Sequence, residues 1–67
     1  MMNKEKMAKR LVELRGEKTR EQVAVDLNIS YSSLVSYENG DRTPRDEVKI
    51  RIANYYKTPV EEIFFLT

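Results

Sequence analysis

The feature that most restricts how this chain can fold is a gap of three residues. Two stretches that read as helices, 20–27 with Val23 and Leu27 at helical spacing and 31–39 with Leu34 and Tyr37, are separated only by Asn28, Ile29 and Ser30. Side chains three or four apart share one helix face. Helices joined by so short a link cross at about 90–120°. The link wants a residue at positive φ, where Asn is the best tolerated side chain after Gly, and Asn28 stands there. Ser30 then reads as the N-cap of the later helix, and Asn39-Gly40 as its end, because Gly enters the left-handed region at no steric cost. Ala24 is small where the helices must approach, with Val23, Leu27, Ile29, Leu34 and Tyr37 as their shared core.

The remaining elements follow from caps and periodicity. Thr19-Arg20-Glu21-Gln22 and Thr58-Pro59-Val60-Glu61 read as capping boxes, and Thr43-Pro44-Arg45-Asp46 as a looser one. In the last two, Pro takes the first helical position, where its missing N–H costs nothing. Met7, Leu11 and Leu14 form one more stripe, and Val48, Ile52 and Tyr55 another. No stretch alternates like a strand. The expectation is an all-α, compact five-helix bundle with helices near 4–16, 20–27, 31–39, 44–57 and 60–65. With no linker or repeat, residues 1–67 read as a single domain holding a helix-turn-helix at about 20–39.

Composition narrows the chemistry. The 67 residues include no Cys and no His, which removes soft-ligand zinc sites, disulfides, thiol nucleophiles and imidazole acid/base catalysis. The carboxylates, Ser and Tyr that remain show no arrangement with an activating base, so the chain is not read as an enzyme and calls for no cofactor or metal. The longest apolar run, Ile63-Phe64-Phe65-Leu66, is far short of the roughly 20 residues that cross a membrane. That argues for a cytoplasmic protein with no membrane partner. Charge is nearly balanced, at 12 basic against 11 acidic side chains. A polyanion would therefore have to be met by local basic groups rather than by the field of the whole molecule.

From Thr19 to Pro44 the segment TREQVAVDLNISYSSLVSYENGDRTP resembles the Cro/repressor (XRE) helix-turn-helix family. The resemblance rests on the capping Thr19, on Val23, Ala24 and Leu27, on Leu34 and Tyr37, on Glu38-Asn39-Gly40 and on Pro44. Ile52-Ala53 and Val60-Glu61-Glu62-Ile63-Phe64 extend it over nearly the whole chain. It departs at Arg20, where the family usually has Gln, at Asn28 in place of Gly, and in a short Arg15-Gly16-Glu17-Lys18 connection. It implies a lambda-repressor-like bundle that binds operator DNA. It also implies a structural pair between Arg15, near the end of the first helix, and Glu38 after the recognition helix.

A helical wheel of residues 31–39 puts Leu34 and Tyr37 together, Ser32, Ser36 and Asn39 opposite them, and Tyr31 and Val35 on the flanks. The outward face is uncharged. Tyr31, Ser32, Val35 and Ser36 are the candidate base contacts, with hydroxyls that donate or accept and apolar surface for thymine methyls. No Lys or Arg on this helix can make the bidentate guanine contact, so discrimination is expected to lean on A·T methyls, water and DNA shape. Candidate phosphate contacts are Thr19 and Arg20 at the start of the second helix, and Asn39, Arg42, Thr43 and Arg45 around the start of the fourth. The resemblance places phosphate contacts at the same two termini.

The closing segment offers more apolar side chain than one face can bury. Val60, Ile63 and Phe64 read as core, with Ile63, Phe65 and Leu66 as the candidate interface of a homodimer. The reading is then a transcriptional regulator, a repressor by occupancy, whose partner is double-stranded DNA with a two-fold operator. No small-molecule effector is evident. The alternative is a protein-interaction module of the same fold that binds no operator.

Overall fold

The computed structural model describes residues 3–64, which form the helices α1 (Lys4–Arg15), α2 (Arg20–Leu27), α3 (Tyr31–Asn39), α4 (Asp46–Tyr56) and α5 (Val60–Phe64). The chain is all-α, as the periodicity implies. One core runs through it: Met7 and Leu11 of α1, Val23, Ala24 and Leu27 of α2, Leu34 and Tyr37 of α3, Val48, Ile52 and Ala53 of α4, and Ile63 and Phe64 of α5. α1 packs chiefly on α3, α2 on α3, and α5 on α4 and α1.

Helix starts follow the capping logic where the cap is a hydroxyl or an amide. Asn3 accepts from the N–H groups of Glu5 and Lys6, at 2.9 and 3.1 Å. Thr19 Oγ1 accepts from Gln22 N–H at 3.1 Å, but the return half of that box is absent because the Gln22 amide donates to Asp26 Oδ1 at 2.7 Å. The other two expected boxes do not form. α4 begins two residues later than its sequence suggests: Arg45 is its N-cap, with no side-chain bond. Pro44 is buried in the extended segment before it, so its ring serves packing rather than helix initiation. Thr58 Oγ1 donates back to Tyr56 O at 3.0 Å instead of capping α5.

Three consecutive helices stop in the same way. Asn28, Gly40 and Lys57 each take the left-handed conformation, at φ 57°, 78° and 53°. The next N–H in each case reaches back to a carbonyl five residues earlier: Ile29 to Ala24 O (3.0 Å), Asp41 to Ser36 O (2.9 Å) and Thr58 to Ala53 O (3.0 Å). This is the Schellman closure, which satisfies carbonyls the helix end would leave unpaired. Gly40 is required twice over, since a Cβ there would also lie 3.2 Å from Lys4 O.

Ile63, a candidate interface residue, is buried in the chain's own core, at 1% exposure. Its place on the α5 face that meets α1 and α4 accounts for this. Phe65 and Leu66, the other two candidate interface residues, lie outside the described residues.

Candidate nucleic-acid interface

The turn between α2 and α3 carries the surface. With Asn28 left-handed (φ 57°, ψ 47°), the chain reverses direction within three residues and Ser30 opens α3. Ser30 Oγ accepts from Ser33 N–H at 3.1 Å and donates to Ser33 Oγ at 2.9 Å, and Ser32 Oγ lies 3.4 Å away. The first turn of α3 is therefore a small hydroxyl network. α3 buries Leu34, Tyr37 and Glu38. Tyr31, at 47% exposure, stands out from the bundle, as do Ser32 and Asn39, while Val35 and Ser36 are half-buried. The wheel's outward face is thus open at the N-terminal end of α3 and more enclosed toward its middle.

Glu38 holds this helix in place. Its carboxylate, 0% exposed, accepts from Arg15 Nε at 3.1 and 2.9 Å and from Arg20 Nε at 3.1 Å. Arg15 uses another nitrogen to reach Lys18 O, at 2.9 Å. The carboxylate therefore joins α1, α2 and α3. The Arg20 share of it has no counterpart in the sequence reading, which offers Arg20 to phosphates alone. Arg20 is held in its charged form chiefly by its bond to Glu38 and then by the Tyr31 hydroxyl.

The cationic groups flanking α3 are unevenly committed. Thr19 spends its hydroxyl on the α2 cap. Arg42 lies over the Tyr37 ring, 5.6 Å from its centroid. Arg45 is exposed and 3.4 Å from Glu47. Thr43 is half-buried. Asp46 and Glu47 occupy the first turn of α4; they suit its positive end and offset part of the attraction a phosphate would feel there. Ser30, Ser33, Arg42, Arg45 and Arg51 share an open cleft of about 390 Å³ between the α2–α3 turn and α4.

Two features escaped the sequence reading. Arg51, in mid-α4, donates to Leu27 O at 2.8 Å and to Asn28 O at 3.4 Å. Tyr55 donates to Asp26 Oδ2 at 2.6 Å and accepts from Lys18 Nζ at 3.0 Å. The Tyr55 bond, followed by that from Gln22, holds the Asp26 carboxyl below its ordinary range, and the same hydroxyl raises the Lys18 ammonium. Both are contacts between residues more than twenty apart, and helix periodicity carries no sign of them. The one available hint was that α2 has no basic residue in its last turn.

Two short helices crossing at a left-handed Asn, with the later one turned outward and held by a bundle, define a helix-turn-helix DNA-binding protein. A helix-turn-helix family model matches residues 9–63, and the chain belongs to that family, in its Cro/repressor (XRE) type, whose members are DNA-binding transcription regulators. Neither a curated protein nor a solved structure gives a significant match to the chain. Among the described residues no helix is long and apolar enough to cross a membrane, and no cluster of acidic side chains could hold a metal ion.

Proposed function

We propose that the chain is a sequence-specific transcriptional repressor that binds a two-fold operator as a homodimer, with α3 laid in the major groove. The observation that carries this is the exposure of Tyr31 and Ser32 at the N-terminal end of α3, the end from which a recognition helix reaches base edges. Tyr31, Ser32, Val35 and Ser36 meet the bases. Thr19, Arg20, Asn39, Arg42, Thr43 and Arg45 meet phosphates on either side. With no Lys or Arg on α3, selectivity falls to thymine methyls, bridging water and groove shape. Two recognition helices in successive grooves, about 34 Å apart, give the site its symmetry. Occupancy alone then blocks transcription, in the cytoplasm and without chemistry.

The described surface supports a subunit contact elsewhere than Ile63. Ile50 of α4 is 55% exposed beside the half-buried Val60, and Asp46 and Lys49 border them. Across a two-fold axis such a patch meets its own copy, with the apolar Ile50 rimmed by the Asp46–Lys49 pair, 3.7 Å apart. A second reading, a protein-interaction module, draws on Val25, 75% exposed at an apolar groove of about 290 Å³ shared with Ala24, Ile29 and Tyr31.

A salt titration of binding to a duplex that the protein itself selects from a random pool decides between them. Phosphate neutralisation gives log K falling linearly with log salt, by about 0.9 for each phosphate neutralised, and the operator reading expects two chains per duplex at saturation. A flat salt dependence, or no binding at low salt, overturns the operator and favours the protein partner.

A further inference from the structure

The end of α2 poses a problem that its own sequence does not solve. Helix C-termini carry partial negative charge and unpaired carbonyls, which Lys or Arg in the last turn commonly satisfies. The last turn of α2 has no basic residue. The Schellman closure uses Ala24 O and Val25 O, through the N–H groups of Asn28 and Ile29. Leu27 O, at the start of the turn, takes its donor from another helix: Arg51 Nη1, at 2.8 Å, which also lies 3.4 Å from Asn28 O. One guanidinium, 24 residues away in sequence, thus closes the helix end and grips the turn beyond it.

Arg51 also sits where two functions meet. It is five residues into the helix whose start bears Arg45, and it lines the same cleft as Ser30, Ser33, Arg42 and Arg45. The turn it grips sets the direction of α3, and the segment that leads into α4 carries Arg42, Thr43 and Arg45, which are offered to phosphates. A permanently charged guanidinium suits this place, because one of its nitrogens, Nη1, serves both carbonyls.

We propose that Arg51 is a positioning residue for DNA reading: it fixes the α2–α3 turn against α4, and so sets the register between the base-reading helix and the phosphate anchors without itself touching DNA. The inference rests on the operator reading above, and its test separates the two. The wild-type chain, Arg51→Met and Arg51→Lys are compared on the duplex selected by the wild type and on a shuffled duplex of equal length, across a salt series. Amide exchange is followed in the free proteins.

The expected result for Arg51→Met is a loss of about tenfold on the selected duplex, comparable to a single mismatched base pair. Binding to the shuffled duplex and the salt slope stay as in the wild type. The amides of Asn28 and Ile29 exchange faster, while those of Val23 and Ile52 keep their protection. Arg51→Lys, which keeps a donor and a charge, recovers part of the loss. Three results overturn the proposal. Equal losses on both duplexes with a salt slope smaller by about 1 make Arg51 a phosphate ligand instead. A lower melting temperature with unchanged discrimination leaves it an ordinary helix cap. Unchanged exchange at Asn28 and Ile29 shows that it does not hold the turn. A wild-type chain that selects no duplex sinks the operator reading, and the exchange rates then still decide whether Arg51 grips the turn.

Discussion

Glu38 and Asp26 each tie helices together with bonds of similar length, but one does so in the dry interior and the other in water. Glu38, with its side chain 0% exposed, collects Arg15 from α1 and Arg20 from α2 at 2.9–3.1 Å. Asp26, on the surface of α2, collects Tyr55 from α4 at 2.6 Å and Gln22 at 2.7 Å. Distance would rank Asp26 the stronger. Burial reverses the order: a donor stripped of its acceptor at the surface turns to water, whereas Arg15, 16% exposed, has little water to turn to. The value of each carboxylate lies in what its loss leaves behind.

The largest effect should come from Glu38→Ala. Breaking a buried pair from one side costs about 3 kcal/mol, seen as a melting temperature lower by more than about 10 °C in a chain of this size. A variant that melts with the wild type would erase the contrast. Next comes the half-buried Tyr56, on the Glu38 side of the comparison. Burial first, and then the Glu38 charge, push its hydroxyl up to about 12 from 10.0. The folded state therefore holds this proton more tightly than the unfolded one, so the associated stability is complete below pH 10 and is lost as pH rises toward 12. Tyr56→Phe should escape that loss, so that melts across this window narrow any deficit of the variant. Parallel declines would place Tyr56 in water. The smallest effect belongs to Asp26→Asn. The carboxyl of Asp26 is held below 3.8, so its contribution is present above that value and disappears as pH falls through the lower, folded one. The gap between wild type and variant should be smaller at pH 7 than that of Glu38→Ala, and should close in acid. A gap that persists there would assign the effect to packing.

The parts of the fold legible in the sequence are those decided within one helical turn. Asn28 and Gly40 close helices because few residues adopt their conformation at low cost, and Thr19 and Ser30 cap because a hydroxyl can reach an N–H three residues on. Where a local signal met a tertiary demand, the tertiary demand won. Pro44 reads as a helix opener and is spent on packing, which moves the start of α4 to Asp46. Lys57 closes α4 in a conformation that nothing in its side chain announces. The candidate surface divides in the same way. Ser32 and Asn39 fall on the open face as the wheel directs, whereas Val35 and Ser36 are partly covered by neighbours that a wheel of one helix omits. The second arginine on Glu38 and the reach of Arg51 to Leu27 were illegible, because both depend on which helices end up side by side. Ile63 reads as both core and interface from its sequence, and it lies in the core.

α3 keeps its structural duties on Leu34, Tyr37 and Glu38, with Tyr31 and Ser32 outside that set. The helix is thus divided into a frame and a replaceable cassette. A new specificity could be transplanted by exchanging the outer residues alone, and a graft that carried its own residue into position 38 would import the wrong fastening along with the new reading.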